Sequence, residues 1–207
     1  MQELDRAWQC SKVKQNAGQS TYRTFPPSCV RYNLFMSRTL QSRRLSGTTI
    51  TGDQLTNALR TLDVNFILGG QIKGESLHKQ PARLIGALAE SDEARLRLSL
   101  IPLFLEHPQF ARYVRSVAKK LTPQARLTLL CYYSAAVWLA QKYQVPNGSL
   151  PDYFSEELNL HISADPEENL RELANRHRTL SGMKVNWLGT YQHAAQVWQK
   201  GLEHKKH

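Results

Sequence analysis

The sequence predicts an all-α fold, a single bundle of about six or seven helices that follows a basic N-terminal tail. Apolar side chains recur every three or four residues through most of residues 81–202, as on the inner faces of packed helices. Helix start signals stand in front of several of these stripes. Residues 127–140 carry no charge at all, which indicates a helix buried on every side.

The first helix is predicted just after residue 50. Thr51 and Gln54 have the spacing of a capping box, in which each side chain accepts a hydrogen bond from the other residue's backbone N–H. Its apolar face consists of Leu55, Ala58, Leu59 and Leu62. Residues 64–68 are then expected to be extended, and Gly69-Gly70 ends that segment.

Three more helix starts are predicted between residues 81 and 121. Pro81 suits a first helical position, and Ser91, followed by two acidic residues, is expected to cap the next helix. Pro102 lies inside that helix and predicts a kink or a break near residue 101. His107-Pro108 is expected to end it and to start another.

Thr122 and Pro123 predict the start of the central helix, which extends to Tyr143. Its uncharged stretch, residues 127–140, is shorter than the roughly 20 residues that a membrane-spanning helix needs. We therefore expect a helix at the centre of the bundle and no contact with a membrane.

Two helices are predicted after the loop at residues 144–151 and a helical turn at residues 153–158. Asp165 caps the first, and Gly182 ends it. Asn186 caps the second. Its inner stripe consists of Trp187, Tyr191, Ala194, Ala195, Trp198 and Leu202.

Residues 1–46 differ in composition from residues 47–207, which form the predicted helical domain. They carry a charge of +6 out of +10 for the whole chain and show no apolar periodicity. A disordered basic tail is expected. Met36 is an alternative start, so the sequence leaves open whether the native chain begins at Met1 or at Met36.

The sequence predicts neither a metal site nor a cofactor. Its seven histidines do not cluster, and no glycine-rich phosphate loop or zinc-ligand spacing is present. The three cysteines, at positions 10, 29 and 131, form no disulfide framework. Since the sequence contains no secretory h-region, a reducing, cytoplasmic setting is expected.

Two sets of residues are candidates for a functional site. One is the basic face of a helix, formed by Arg112, Arg115, Lys119 and Lys120. It is typical of a solvated surface, with phosphate binding as the alternative. The other is Arg171 with His177, which have the spacing of the HEPN ribonucleases, themselves all-α proteins. His177 falls on the inner face of its helix, so we expect it to be packed and Arg171 to be exposed.

The order of these elements, a helix, an apolar segment and then Gly69-Gly70, is similar to the opening of minimal nucleotidyltransferases. The pair of acidic residues at alternate positions that this family places on the next strand is missing, so polymerase-type catalysis is not expected. More of the chain, roughly residues 50–203, resembles an uncharacterised bacterial all-helical family that accompanies minimal nucleotidyltransferases. The similar segments are residues 81–110, CYYSAAVWL, LPDYFSEELNL and NWLGTYQHAA. The resemblance implies a protein partner and supplies no catalytic residue.

These observations favour a non-enzymatic helical module that binds a protein partner, such as a minimal nucleotidyltransferase. Two alternatives remain open. One is a HEPN-like ribonuclease or toxin component that uses Arg171 and His177. The other is an accessory protein that binds nucleic acid through the basic tail and the face at residues 112–120.

Overall fold

The computed structural model describes residues 50–64, 77–145 and 149–205. Within these ranges the chain is helical and forms no strand, which confirms the predicted all-α class. The α-helices are α1 (Gly52–Thr61), α2 (Pro81–Glu90), α3 (Ala94–Leu98), α4 (Leu100–Glu106), α5 (Ala111–Ala118), α6 (Pro123–Lys142), α7 (Pro166–Ser181) and α8 (Trp187–Lys205). Short 3-10 helices span Leu77–Lys79 and Pro108–Phe110. The predicted tail at residues 1–46 and the segment at residues 65–70 lie outside the described residues.

Helix α6 is the centre of the bundle, as its uncharged sequence predicts. Every residue from 128 to 140 is buried. The helix contacts α2, α4, α5, α7 and α8, most extensively α7 and α4. Phe104 of α4 packs edge-on against Tyr133 of α6, with ring centroids 5.0 Å apart. An apolar surface on all sides therefore lets α6 bury side chains from five neighbours at once.

The predicted kink near residue 101 is a break at Ser99, between α3 and α4. Pro102 has no N–H to donate to the carbonyl of Leu98, four residues earlier, and its ring excludes that carbonyl from a regular helix. The hydroxyl of Ser99 donates to the carbonyl of Leu96 at 2.6 Å. The break thus lies about one turn before Pro102, next to Leu98, whose carbonyl would have accepted the missing hydrogen bond.

The prediction that Ser91 caps the following helix is wrong. Helix α3 begins at Ala94, and Glu93 occupies its cap position. Ser91 instead follows the last turn of α2, and its hydroxyl accepts a hydrogen bond from the backbone N–H of Glu93 at 3.2 Å. Arg97 donates to the carbonyl of Ser91 at 2.7 Å. These bonds stabilise a tight turn between the helices and delay the start of α3 by two residues.

The other predicted helix ends are confirmed. Thr51 and Gln54 form the capping box of α1. The hydroxyl of Thr122 accepts from the N–H of Ala125 at 3.4 Å, and the carboxylate of Asp165 accepts from that of Glu167 at 2.9 Å. Helix α7 ends at Gly182, whose φ of 66° lies in the left-handed region. The side chain of Asn186 accepts from the N–H of Gly189 at 3.0 Å and so caps α8.

The segment between α6 and α7 lies against both helices, and residues 154–159 form the expected turn. The hydroxyl of Tyr133 in α6 donates to the carbonyl of Pro151 at 2.7 Å, and its ring stacks on that of Tyr153. Arg176 of α7 donates to the carbonyl of Leu158 at 2.8 Å. These contacts place Tyr153 on the surface beside α5.

Candidate functional site

The four cations of the predicted basic face lie on the outer surface of α5 and in the turn that follows it. All four side chains are exposed: Arg112, Arg115, Lys119 and Lys120. The guanidinium of Arg112 lies 4.7 Å from the ring centroid of Tyr113 and donates to its hydroxyl. That of Arg115 lies 5.6 Å from the ring centroid of Tyr153. Within the described ranges none of the four pairs with a carboxylate, so this face is a positive surface flanked by aromatic rings.

The structure separates the two residues of the ribonuclease hypothesis. Arg171 lies on the outer side of α7 with 66% of its side chain exposed, and its nearest carboxylate, that of Glu167, is 3.9 Å away. His177 is only 3% exposed and faces the interior. Six residues along a helix turn the two side chains onto different faces. Neither of the two surface cavities described below is lined by both.

His177 is held in a cluster of aromatic side chains. Its ring stacks on the indole of Trp187, with centroids 3.7 Å apart, and the edge of Tyr132 approaches at 6.0 Å. Its Nδ1 is hydrogen-bonded to the hydroxyl of Tyr191 at 2.7 Å. Burial lowers the pKa of His177 to about 4, so the imidazole is neutral at neutral pH. A side chain enclosed in this way holds α7 on α8 and offers no contact to a substrate in solution.

Cys131 of α6 belongs to the same interior. The side chain is fully buried, and burial raises the pKa of its thiol to about 12. Burial also raises the pKa of Tyr191 well above its usual value, and the neighbouring Cys131 and Tyr132 raise it further. The thiol therefore stays protonated at neutral pH and is not an activated nucleophile. This cluster contributes packing and hydrogen bonds rather than chemistry.

A cavity of about 330 Å³ opens between α7 and the start of α8, and we call it the cationic cavity. Its lining consists of Arg171, Ala174, Asn175, Arg178, Val185, Asn186, Trp187 and Leu188. Two guanidinium groups, two amides and no carboxylate are present in this lining. Such a set of donors matches an anion. Arg171 therefore contributes to a site with Arg178, seven residues later, and not with His177.

A second cavity, of about 630 Å³, lies where the ends of α4, α6 and α8 meet, and we call it the apolar groove. Its lining consists of Leu105, Glu106, Tyr143, Val145, Trp198, Gln199, Leu202 and Glu203. The rings of Tyr143 and Trp198 form one wall, with centroids 6.3 Å apart. The lining thus has five apolar or aromatic side chains. Its three polar side chains are the carboxylates of Glu106 and Glu203 and the amide of Gln199.

Neither cavity was predicted from the sequence. Trp198 and Leu202 belong to the predicted inner stripe of α8, and Trp198 is indeed buried. Leu202 is half-buried and lines the apolar groove. The arginines of α7 carry a local signal, since a spacing of seven residues places two side chains on one helical face.

Within the described ranges, no group of three or more His, Cys, Asp or Glu side chains is arranged to hold a metal ion. No helix in these ranges combines the length and the apolar character needed to cross a bilayer.

Comparisons of the chain with models of protein families, with curated proteins and with solved structures found no match.

Proposed function

We propose that this chain is a non-enzymatic interaction module that binds a protein partner through the apolar groove. The observation that carries the proposal is the groove itself, an open cavity walled by Leu105, Tyr143, Val145, Trp198 and Leu202. Its volume of about 630 Å³ falls in the range of cavities that hold ligands. Aromatic and aliphatic anchors that enter such a cavity supply most of the binding free energy in protein complexes.

The lining of the groove favours a basic, amphipathic helix as the occupant. Glu106 and Glu203 lie at its polar positions, and the lining contains no lysine or arginine, although the whole chain carries a charge of +10. A helix that places apolar side chains three and four residues apart would fill the cavity. Lysine or arginine residues beside those anchors would lie near the two carboxylates.

The resemblance of residues 50–203 to companions of minimal nucleotidyltransferases names the first partner to test. A tagged full-length chain would be purified with a minimal nucleotidyltransferase from the same organism. Amide hydrogen exchange would then be compared with and without the partner. We expect a stoichiometric complex in which residues 198–203 become protected. Recovery of the two proteins as separate species, or protection confined to another surface, would contradict the proposal for this partner.

Two variants of matched chemistry test the groove directly. Leu202→Lys places a cation in the groove at a half-buried position, so it should abolish the complex. Ile162→Lys makes the same kind of change at a side chain that is 54% exposed and lies outside the groove, so it should leave the complex intact. Thermal melts of both variants establish that they fold. A complex that survives Leu202→Lys would rule out the groove as the binding site.

The exposed cations of α5 favour nucleic-acid binding as a second candidate function. Residues 107–151 contain no aspartate or glutamate, so no carboxylate in this stretch neutralises the cations of α5. Single-stranded RNA could place phosphates on Arg112 and Arg115 and bases against the nearby tyrosine rings. Removal of either arginine by substitution with glutamine should lower the slope of log K against log salt by about one. Arg95→Gln, on α3, is the control, and an unchanged slope in all variants would exclude this face.

A further inference from the structure

We propose that the cationic cavity between α7 and α8 binds the phosphate group of a small phosphorylated molecule about as large as a mononucleotide. This cavity shares no lining residue with the apolar groove. The inference therefore does not rest on the proposed function, and each can be tested without the other.

Arg171 and Arg178 are spaced to act on one ligand. Seven residues are close to two helical turns, so both side chains leave the same face of α7, about 10 Å apart along its axis. Asn175 lies between them on that face. Arginine side chains are long enough to bring both guanidinium groups toward an anion held above Asn175. Each guanidinium can donate two parallel hydrogen bonds to a phosphate group.

Neither arginine is neutralised by a close carboxylate. A carboxylate oxygen of Glu167 lies 3.9 Å from the guanidinium of Arg171, at the outer limit of an ion pair. Both carboxylate oxygens of Glu167 already accept hydrogen bonds from other side chains. One bond comes from the ammonium group of Lys142, and the other comes from the amide of Gln192 at 3.2 Å. Among the described residues, the polar partner of Arg178 is the uncharged side chain of Asn175, at 3.2 Å. Both positive charges are therefore available to a ligand.

A neutral donor, an aromatic ring and a helix N-terminus complete the cavity. The side-chain oxygen of Asn175 accepts from Arg178, which leaves the NH₂ group of the same amide free to donate to a ligand. The ring of Trp187, which is 8% exposed, also lines the cavity, while its indole N–H is buried away from solvent. Trp187 and Leu188 also begin the 19-residue helix α8, whose positive end favours an anion.

The surroundings favour a compact ligand over a nucleic-acid chain. The cavity of about 330 Å³ has apolar walls from Ala174, Val185 and Leu188, which suit the uncharged part of a small molecule. Two further carboxylates, those of Glu168 and Glu172, lie within three positions of Arg171 along α7. They would repel a phosphate backbone that continued past the cavity in that direction. A single terminal phosphate avoids this repulsion.

Isothermal titration of the full-length protein tests the inference with four probes: adenosine monophosphate, adenosine, inorganic phosphate and single-stranded oligoadenylate without a terminal phosphate. We expect adenosine monophosphate to bind and adenosine to bind at least about tenfold more weakly, since it lacks the charged acceptor. Inorganic phosphate should compete with adenosine monophosphate. Arg171→Gln and Arg178→Gln should each weaken binding of adenosine monophosphate about tenfold to a hundredfold.

Control variants distinguish specific binding in the cavity from nonspecific electrostatic attraction to a basic protein. Arg95→Gln makes the same change on α3, outside the cavity, and should leave the affinity unchanged. Arg178→Lys keeps the charge but loses the paired donors, so it should weaken binding measurably. Thermal melts confirm the fold of each variant. Equal affinity for adenosine and its monophosphate, no binding at millimolar concentration, or unchanged affinity in both glutamine variants would overturn the inference. So would tighter binding of the oligoadenylate that depends on the same two arginines.

Discussion

The imidazole of His177 lies against Trp187 and Tyr132 and is hydrogen-bonded to Tyr191. Its burial lowers the pKa from 6.5 to about 4, and this shift links folding to pH. Between these two values the unfolded chain binds a proton that the folded protein does not bind. The contribution of His177 to stability is therefore present above about pH 6.5 and is lost as the pH falls through about 4.

We expect this residue to account for about 2–3 kcal/mol of the loss in unfolding free energy between about pH 7 and pH 4.5. Urea unfolding at a series of pH values measures the loss. His177→Gln should reduce the pH dependence by this amount, whatever it does to stability at neutral pH. His193→Gln changes an exposed histidine of α8 and serves as the control. A pH profile in His177→Gln that parallels the wild-type profile would contradict the assigned shift.

Ala136 provides a second test at the scale of one residue. Its side chain is 0% exposed in the middle of α6. Ala136→Asp places an unpaired carboxylate in the core, which should lower the unfolding free energy by about 3–5 kcal/mol. Gln141→Asp introduces the same group at an exposed position of the same helix and should cost less than about 1 kcal/mol. Similar melting temperatures for the two variants would be inconsistent with a buried α6.

At the scale of the element, two glycines should respond to alanine with opposite signs. Gly182 ends α7 with a φ of 66°, and a Cβ there would meet no atom within 4 Å. Gly182→Ala should therefore destabilise the protein by about 1 kcal/mol through the backbone alone. Gly201 lies inside α8 and also has open space around it, so Gly201→Ala should stabilise the protein by about 0.5–1 kcal/mol. Denaturant unfolding measures both, and a stabilising Gly182→Ala would show that the left-handed conformation is not required.

The helices also show why local signals differ in reliability. Thr51, Thr122 and Asp165 were predicted as caps, and each accepts the expected backbone hydrogen bond, because capping depends on residues two or three positions away. The hydroxyl of Ser91 also accepts a nearby backbone hydrogen bond, from the N–H of Glu93, yet α3 begins only at Ala94. The position of Ser91 is fixed by the last turn of α2 and by Arg97, whose side chain donates to its carbonyl. The hydrogen bond to the Ser91 hydroxyl therefore stabilises the turn between α2 and α3 and not the first turn of α3.

At the scale of the whole molecule, stability should be distributed unevenly among the helices. Helix α6 contacts five other α-helices, whereas α1 packs mainly on α2, α3 and the 3-10 helix at Leu77–Lys79. We expect the amides of residues 128–140 to exchange hydrogen only through global unfolding. The amides of α1 should exchange through local opening at a lower free energy. Native-state hydrogen exchange measures both, and equal protection of the two helices would contradict this distribution.

The two cavities differ in how far the sequence could have revealed them. Arg171 and Arg178 lie on one helix at a spacing that any helical projection places on one face, so half of the cationic cavity is a local feature. The apolar groove is not local. Its walls include Leu105 of α4, Tyr143 just after α6 and Trp198 of α8, and the first and last of these are more than 90 positions apart. No periodicity along the chain predicts where helices of different length end relative to one another.

The sequence by itself determined the all-α class, the central position of α6 and most helix ends, because each depends on side chains within about one or two turns. Only the tertiary structure decided which of those side chains meet. It turned His177 inward against Tyr191 and left Arg171 outside beside the start of α8. It also left Leu202 half-buried at the rim of a groove. The physical reason is that long-range packing, and not local preference, fixes the distances between helices and the solvent access of their faces.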